Sequence, residues 1–150
     1  MRFDLVSNEL YRGSHPESMS DLYTLKMQKG ILRIVSLETF WHKLFGWKNE
    51  AIAWEHVHHG LFLNFPLSNI FPPSQQQTLD ILHILQEPSR LPTFIHCYAG
   101  CDRTGWICAS WRVLNDGWTP AKAWQEALDM GMHSRYSFWW KYFFMKMWEN

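Results

Sequence analysis

The chain has 150 residues, 14 basic and 14 acidic, with no formal net charge at neutral pH, and 47% of it is hydrophobic. That length suits one domain with its own core, the charge balance gives no overall field for nucleic acid or an anionic membrane, and no apolar run approaches the roughly 20 residues that cross a bilayer. Three cysteines make no disulfide framework and Met1-Arg2-Phe3-Asp4 is unlike a signal peptide, so a reducing, cytoplasmic setting is expected. Ten Trp and ten Phe point to large aromatics that bury much area per residue in the core and on the surface.

In chain order, Phe3 to Arg12 alternates weakly around Ser7-Asn8, which predicts a short edge hairpin. Leu10 to Pro16 then leaves it as a loop. Ser18 or Ser20 can cap a helix running to about Lys29, closed by Gly30. The β-branched apolar run Ile31 to Leu37 suits an interior parallel strand. Glu38 to Lys48 reads as short helix and loop, Asn49 caps a helix ending at Gly60, and Leu61 to Phe65 returns as a strand. After a proline-punctuated loop, Ser74 and Gln77 form a capping box for a helix to Glu87 that places Leu79, Leu82 and Leu85 on one face. Pro88 and Pro92 bracket a turn into a strand over Thr93 to Cys97. Helices then follow from Thr104 to Leu114, from Thr119-Pro120 to Gly131, and from Ser137 toward Trp148. Alternating strands and helices predict an α/β fold, a central mostly parallel sheet of four or five strands flanked by helices, in one domain over residues 1–150.

The informative stretch is Phe94-Ile95-His96-Cys97-Tyr98-Ala99-Gly100-Cys101-Asp102-Arg103-Thr104-Gly105. Here a buried strand ends at His96, Gly100 and Gly105 permit a tight turn, and a helix begins. Amides of Tyr98, Ala99, Gly100, Cys101, Asp102 and Arg103 would converge above a helix N-terminus, a setting for a phosphate dianion. The same setting favours the anionic form of a thiol, which makes Cys97 the candidate nucleophile. Arg103 offers a planar fork for two phosphoryl oxygens, Thr104 a hydroxyl for the departing thiolate, and His96 a group that fixes the loop.

His96-Cys97, five residues, then Arg103-Thr104-Gly105 resembles the signature of the cysteine-based protein tyrosine phosphatase superfamily, complete over its defining positions. Tyr11-Arg12-Gly13-Ser14-His15-Pro16 resembles the opening of compact dual-specificity phosphatases, which extends the likeness over most of the chain. The resemblance implies a cysteinyl-phosphate intermediate that water hydrolyses, with no cofactor and no metal. It further implies either an inositol polyphosphate or inositol pyrophosphate, as in phosphatase-like phytases, or a phosphoprotein as substrate. A short chain with little room for a peptide-recognition loop favours the inositol phosphates. A phospho-binding pseudophosphatase and a sulfur-transfer or arsenate-reducing domain are the rivals from other classes.

One departure matters. Most relatives protonate the leaving oxygen with an aspartate on the loop after the strand ending near Phe65, but between Glu55 and Asp80 this chain has no carboxylate. Asp102, beside Arg103, becomes the candidate acid, as in the myotubularin-like lipid phosphatases that this arrangement resembles. The alternative is that Asp102 only ties the loop to a neighbouring donor, and Asp80 is a poorer candidate within a helix. Cys101 could trap an oxidised Cys97 or merely fill space, and Cys108 belongs to the core. His56, His58 and His59 lack further ligands at metal-binding spacing and suit a helix C-terminus. Arg12, Lys43 and Lys48 could meet extra phosphates, although each alone reads as a solvated charge. The aromatic last helix, with Phe138, Trp139, Trp140, Tyr142, Phe143 and Phe144, packs on the core or, secondarily, on a second copy.

Overall fold

The computed structural model describes residues 1–39, 49–87 and 92–149. Strands β1 (Phe3–Ser7) and β2 (Leu10–Gly13) form the expected hairpin, with Asn8 at a φ of 50° that asparagine tolerates at a turn. Helix α1 (Met19–Tyr23) starts at Ser18, whose hydroxyl accepts the Asp21 N–H, and widens into a π-helical turn over Thr24–Gln28 before Gly30. Strand β3 (Arg33–Ser36) is buried throughout, as an interior parallel strand should be. The segment 40–48 expected as helix and loop lies outside the described residues, together with Lys43, Lys48 and Pro88.

Helix α2 (Glu50–His56) stops before Gly60. The N–H groups of Val57 and His58 both reach the Ala53 carbonyl, and His59 turns into the left-handed region at φ 54°. Asn49 occupies the cap position, yet its side chain makes no cap bond. Strand β4 (Leu61–Asn64) follows, then α3 (Gln75–Leu85), which carries the Ser74–Gln77 capping box in full. The buried stripe of α3 is Thr78, Ile81, Leu82 and Leu85, so Leu79 is displaced from it and stays 39% exposed. Thr78 takes the inward place because its hydroxyl accepts the Trp106 indole N–H at 3.0 Å. Strand β5 (Thr93–His96) precedes α4 (Asp102–Leu114), α5 (Pro120–Asp129) and α6 (Ser134–Trp148), the last opening three residues earlier than Ser137.

The five strands run in the order β1-β2-β5-β3-β4, antiparallel only between β1 and β2. Because successive side chains on a strand point to opposite faces, Val35 and Ile95 enter one core with Ile107, Trp106, Trp124, Trp140 and Phe144, while Ile34 and Phe94 enter another with Leu22, Leu25 and Trp54. Trp106 meets Trp124, Trp140 and Phe144 edge-on with centroids 6.3, 5.9 and 5.3 Å apart, which explains much of the aromatic content as core. Arg33 is fully buried without being a defect, since its guanidinium donates to Thr93 Oγ1 and to the carbonyls of Ile84 and Leu85 at the end of α3. With β5 in the middle, its carboxyl end opens at the edge where parallel sheets present ligand sites.

Candidate active site

Cys97 follows the last residue of β5 and is buried, and the loop from Tyr98 to Cys101 climbs over the N-terminus of α4. Gly100 is the residue the loop depends on. Its φ is +78°, and a Cβ there would come within 2.4 Å of the Gly13 carbonyl oxygen, a backbone atom that cannot step aside. The segment after β2 therefore forms one wall of the loop. His15 N–H donates to the Tyr98 carbonyl at 3.0 Å, and Arg12 Nη2 donates to the Gly100 carbonyl at 2.8 Å. Arg12 is 2% exposed, which corrects its reading as a solvated charge: the guanidinium is an internal strut of the loop.

Arg103 and Thr104 lie in the first turn of α4 and are buried. Arg103 Nη1 donates at 3.4 Å to both the Leu37 carbonyl beyond β3 and the Leu67 carbonyl beyond β4, so two strand ends aim its plane. The Thr104 hydroxyl has no hydrogen-bond partner among the described residues. A buried hydroxyl left unpaired costs free energy, which is tolerable where a partner forms during the reaction. Tyr98 and Ala99 are exposed, placing the crest of the loop at the surface.

Asp102 turns its carboxylate toward the residue before α6. Its Oδ1 accepts the His133 backbone N–H at 2.8 Å, and its Oδ2 lies 2.8 Å from His133 Nδ1. His133 is 54% exposed at its side chain, so this pair sits at the open edge of the loop. Cys101 Sγ accepts from Arg2 Nη1 at 3.4 Å and faces the Ala99 carbonyl, and burial raises the titration of its thiol. Cys108 is buried in the helix core, and burial pushes its thiol to about 11. Burial lowers His58, with Lys26 and His59 adding repulsion, and the three histidines at the end of α2 form no cluster of ligands among the described residues.

Below the loop, sequence reasoning missed a set of buried partners. His96 Nδ1 lies 3.0 Å from the Cys97 carbonyl and Nε2 lies 2.6 Å from Glu50 Oε1, while His15 Nδ1 lies 2.9 Å from Glu38 Oε2. Burial alone would lower His96, but the Glu50 charge and hydrogen bond, with Glu38 and the Cys97 carbonyl, raise it to about 9. Burial alone would raise Glu38; the His15 hydrogen bond, then the charges of His96, His15 and Arg103, outweigh it and hold the carboxyl below its ordinary value. Only the Tyr11-to-Pro16 segment carried a signal for any of these, because carboxylates distant in sequence have no spacing rule that brings them under one loop.

The family described as a DSP-PTPase phosphatase fused to NAD+ kinase matches residues 10–137. The human tyrosine-protein phosphatase non-receptor type 12 is 38% identical over 65 residues, a match spanning 39% of this chain and 8% of that protein. Among solved structures, the core catalytic domain of the PP-IP phosphatase SIW14 from S. cerevisiae superposes with a TM-score of 0.82 at 19% identity, over 99% of this chain and 85% of that one. Tk-PTP in its active form gives 0.78 at 18% identity over 99% and 96% of the two chains, and PTPMT1 in complex with PI(5)P gives 0.76 at 13% over 98% and 97%. At these identities the structures share the fold.

Proposed function

As the chain belongs to the DSP-PTPase phosphatase family, we propose that it hydrolyses phosphate monoesters by double displacement at Cys97. The observation that carries this is the placement of a buried thiol at the end of the central parallel strand, with the 13-residue helix α4 opening five residues later and Arg103 in its first turn. In the first step the Cys97 thiolate attacks phosphorus, the S–P bond forms, and the P–O bond to the leaving group breaks as that oxygen takes a proton. In the second, water attacks the cysteinyl phosphate, loses a proton to the same acid-base group, and Cys97 leaves as thiolate. The loop amides of residues 98–103 and the Arg103 fork hold the equatorial oxygens, the Thr104 hydroxyl meets the departing sulfur, and His96 anchors the loop.

Asp102 is proposed as the acid-base group, with His133 Nδ1 lying 2.8 Å from its Oδ2. A proton matters in proportion to how poor the leaving group is. Asp102→Asn is therefore expected to slow hydrolysis of an alkyl phosphate by roughly a hundredfold and an activated aryl phosphate far less. If both substrates lose rate equally, Asp102 serves only to dock His133 against the loop.

For substrate, an inositol polyphosphate is favoured. Support comes from the SIW14 likeness, from the missing carboxylates after β4, and from Arg2 and His133 at the rim of the loop, where further phosphates would reach them. The second reading is a phosphotyrosine protein, favoured by the local identity to the human tyrosine phosphatase. A phosphate-release assay across inositol polyphosphates, phosphotyrosine peptides and an aryl phosphate separates them. The expected result is the highest kcat/KM on a polyphosphorylated inositol, falling as salt screens the remote charges. Equal or better hydrolysis of the peptides would establish the second reading, and binding without release the pseudophosphatase. No helix among the described residues is long and apolar enough to cross a membrane, and a second copy, if one binds, would meet the exposed Phe138, Tyr142 and Phe143 of α6.

A further inference from the structure

Four buried titratable side chains meet under the loop: His15 after β2, Glu38 after β3, Glu50 at the start of α2 and His96 at the end of β5, with their polar atoms within 4.8 Å of one another. Their protons can be counted from geometry. A carbonyl only accepts, so the contact from His96 Nδ1 to the Cys97 carbonyl places a proton on Nδ1. Glu50 Oε1 is 2.6 Å from Nε2, a separation that two lone pairs cannot adopt without a second proton between them. His96 and Glu50 therefore hold two protons, the count of an imidazolium on a carboxylate. His15 Nδ1 and Glu38 Oε2, 2.9 Å apart, form a contact that a single proton satisfies.

We propose that Glu50 is a positioning residue for the phosphatase reaction: it keeps His96 as the imidazolium that grips the Cys97 carbonyl and sets a positive charge at the base of the phosphate loop. The inference rests on Cys97 as nucleophile. Each element packed around His96 contributes to the balance: Glu50 from α2, Glu38 after β3, His15 after β2 with its ring edge-on at 5.6 Å, Phe94 on the same strand, and Arg103 of α4 beyond Glu38. Of these, only Glu50 contacts the far nitrogen of His96 at hydrogen-bond distance. The elevated titration of His96 agrees with this proton count. In low dielectric a cation held on the Cys97 carbonyl favours an anion on the same residue, and a second negative phosphate oxygen is likewise easier to hold.

Glu50→Gln isolates the effect, because the amide can still donate to Nε2 while a neutral His96 keeps its Nδ1–H on the carbonyl. The loop bond survives and the charge does not. Alkylation of Cys97 by iodoacetamide, read by mass spectrometry on the Cys97 peptide, should move its acid limb up by about one pH unit, and the acid limb of kcat/KM should move with it. Glu50→Asp should restore part of the shift. In 15N spectra of the wild-type protein both ring nitrogens of His96 should be protonated at neutral pH, and only one in Glu50→Gln. A neutral His96 in the wild type overturns the proposal whether or not the variant folds, and so does an alkylation limb that stays in place. Binding of Zn2+ by the wild type that disappears in Glu50→Gln would also overturn it, by making the four side chains a metal site. Absence of phosphate release from the wild type, with the alkylation limb still shifting, would instead refute the phosphatase reading and leave the Glu50–His96 charge standing.

Discussion

Cys97→Ser is expected to reduce phosphate release by about four orders of magnitude or more, to background, while substrate binding persists. Serine keeps the shape of the loop, but its hydroxyl stays protonated at a pH where a thiol can ionise. The cradle is built from parts that the substitution does not touch: Gly100 against Gly13, Arg12 on the Gly100 carbonyl, and the N-terminus of α4. Equilibrium binding of a non-turned-over inositol polyphosphate should therefore survive, and a stoichiometric phosphoenzyme trapped by acid quench in the wild type should be missing from the variant. Wild-type-like turnover by Cys97→Ser would end the proposal that this sulfur is the nucleophile. The other two thiols are poorly placed to substitute, since Cys108 is buried in the core and Cys101 faces Arg2 and the Ala99 carbonyl.

How much of this was legible in the sequence follows from which interactions are local. The order of strands and helices could be read because each depends on a nearby pattern. Ser74 and Gln77 cap α3 across three residues, and Thr119-Pro120 opens α5. The buried run at β3 reads as an interior strand for the same reason. Parallel strands in the centre follow from that alternation, whereas the order with β5 between β2 and β3 does not, because alternation fixes no strand's neighbours. Where the reading slipped, tertiary contact outweighed local preference. Leu79 gave way to Thr78 because a tryptophan 28 residues away needed an acceptor. Likewise α2 ended before Gly60, since the chain turns at His59 and Gly60 packs on the Trp54 indole, where a Cβ would come within 2.1 Å.

The site divides in the same way. His96, Cys97, Arg103 and Thr104 are separated by fixed, short intervals, so a strand–loop–helix motif reveals them. Arg12, His15, Glu38 and Glu50 are brought under the loop from three other elements; the Tyr11-to-Pro16 resemblance includes the first two, and no spacing rule points to the carboxylates. Asp102 was visible, but its partner was not: His133 arrives from the turn before α6, 31 residues on, by way of a helix packed on the aromatic core. The two carboxylates under the loop, Glu38 and Glu50, are thus the charges that no motif contains.

Arg103→Lys is expected to lower kcat by roughly two to three orders of magnitude, the range observed on deleting a donor to a developing oxyanion, while the fold is kept. A lysine keeps the charge but not the plane. In the native protein Arg103 Nη1 donates to the Leu37 and Leu67 carbonyls, 3.4 Å each, and these contacts fix the plane in which the guanidinium donors point. An ammonium is a compact point charge on a flexible stem; it would satisfy one carbonyl or a single phosphoryl oxygen, not a matched pair of oxygens. The pair becomes better aligned as the phosphoryl group flattens in the transition state, so the loss should fall on kcat more than on KM. Steady-state kinetics on one aryl phosphate, with a thermal melt to confirm folding, separates the cases. A change confined to KM would mean that Arg103 attracts the substrate by charge alone, and the two-pronged role would have to be withdrawn.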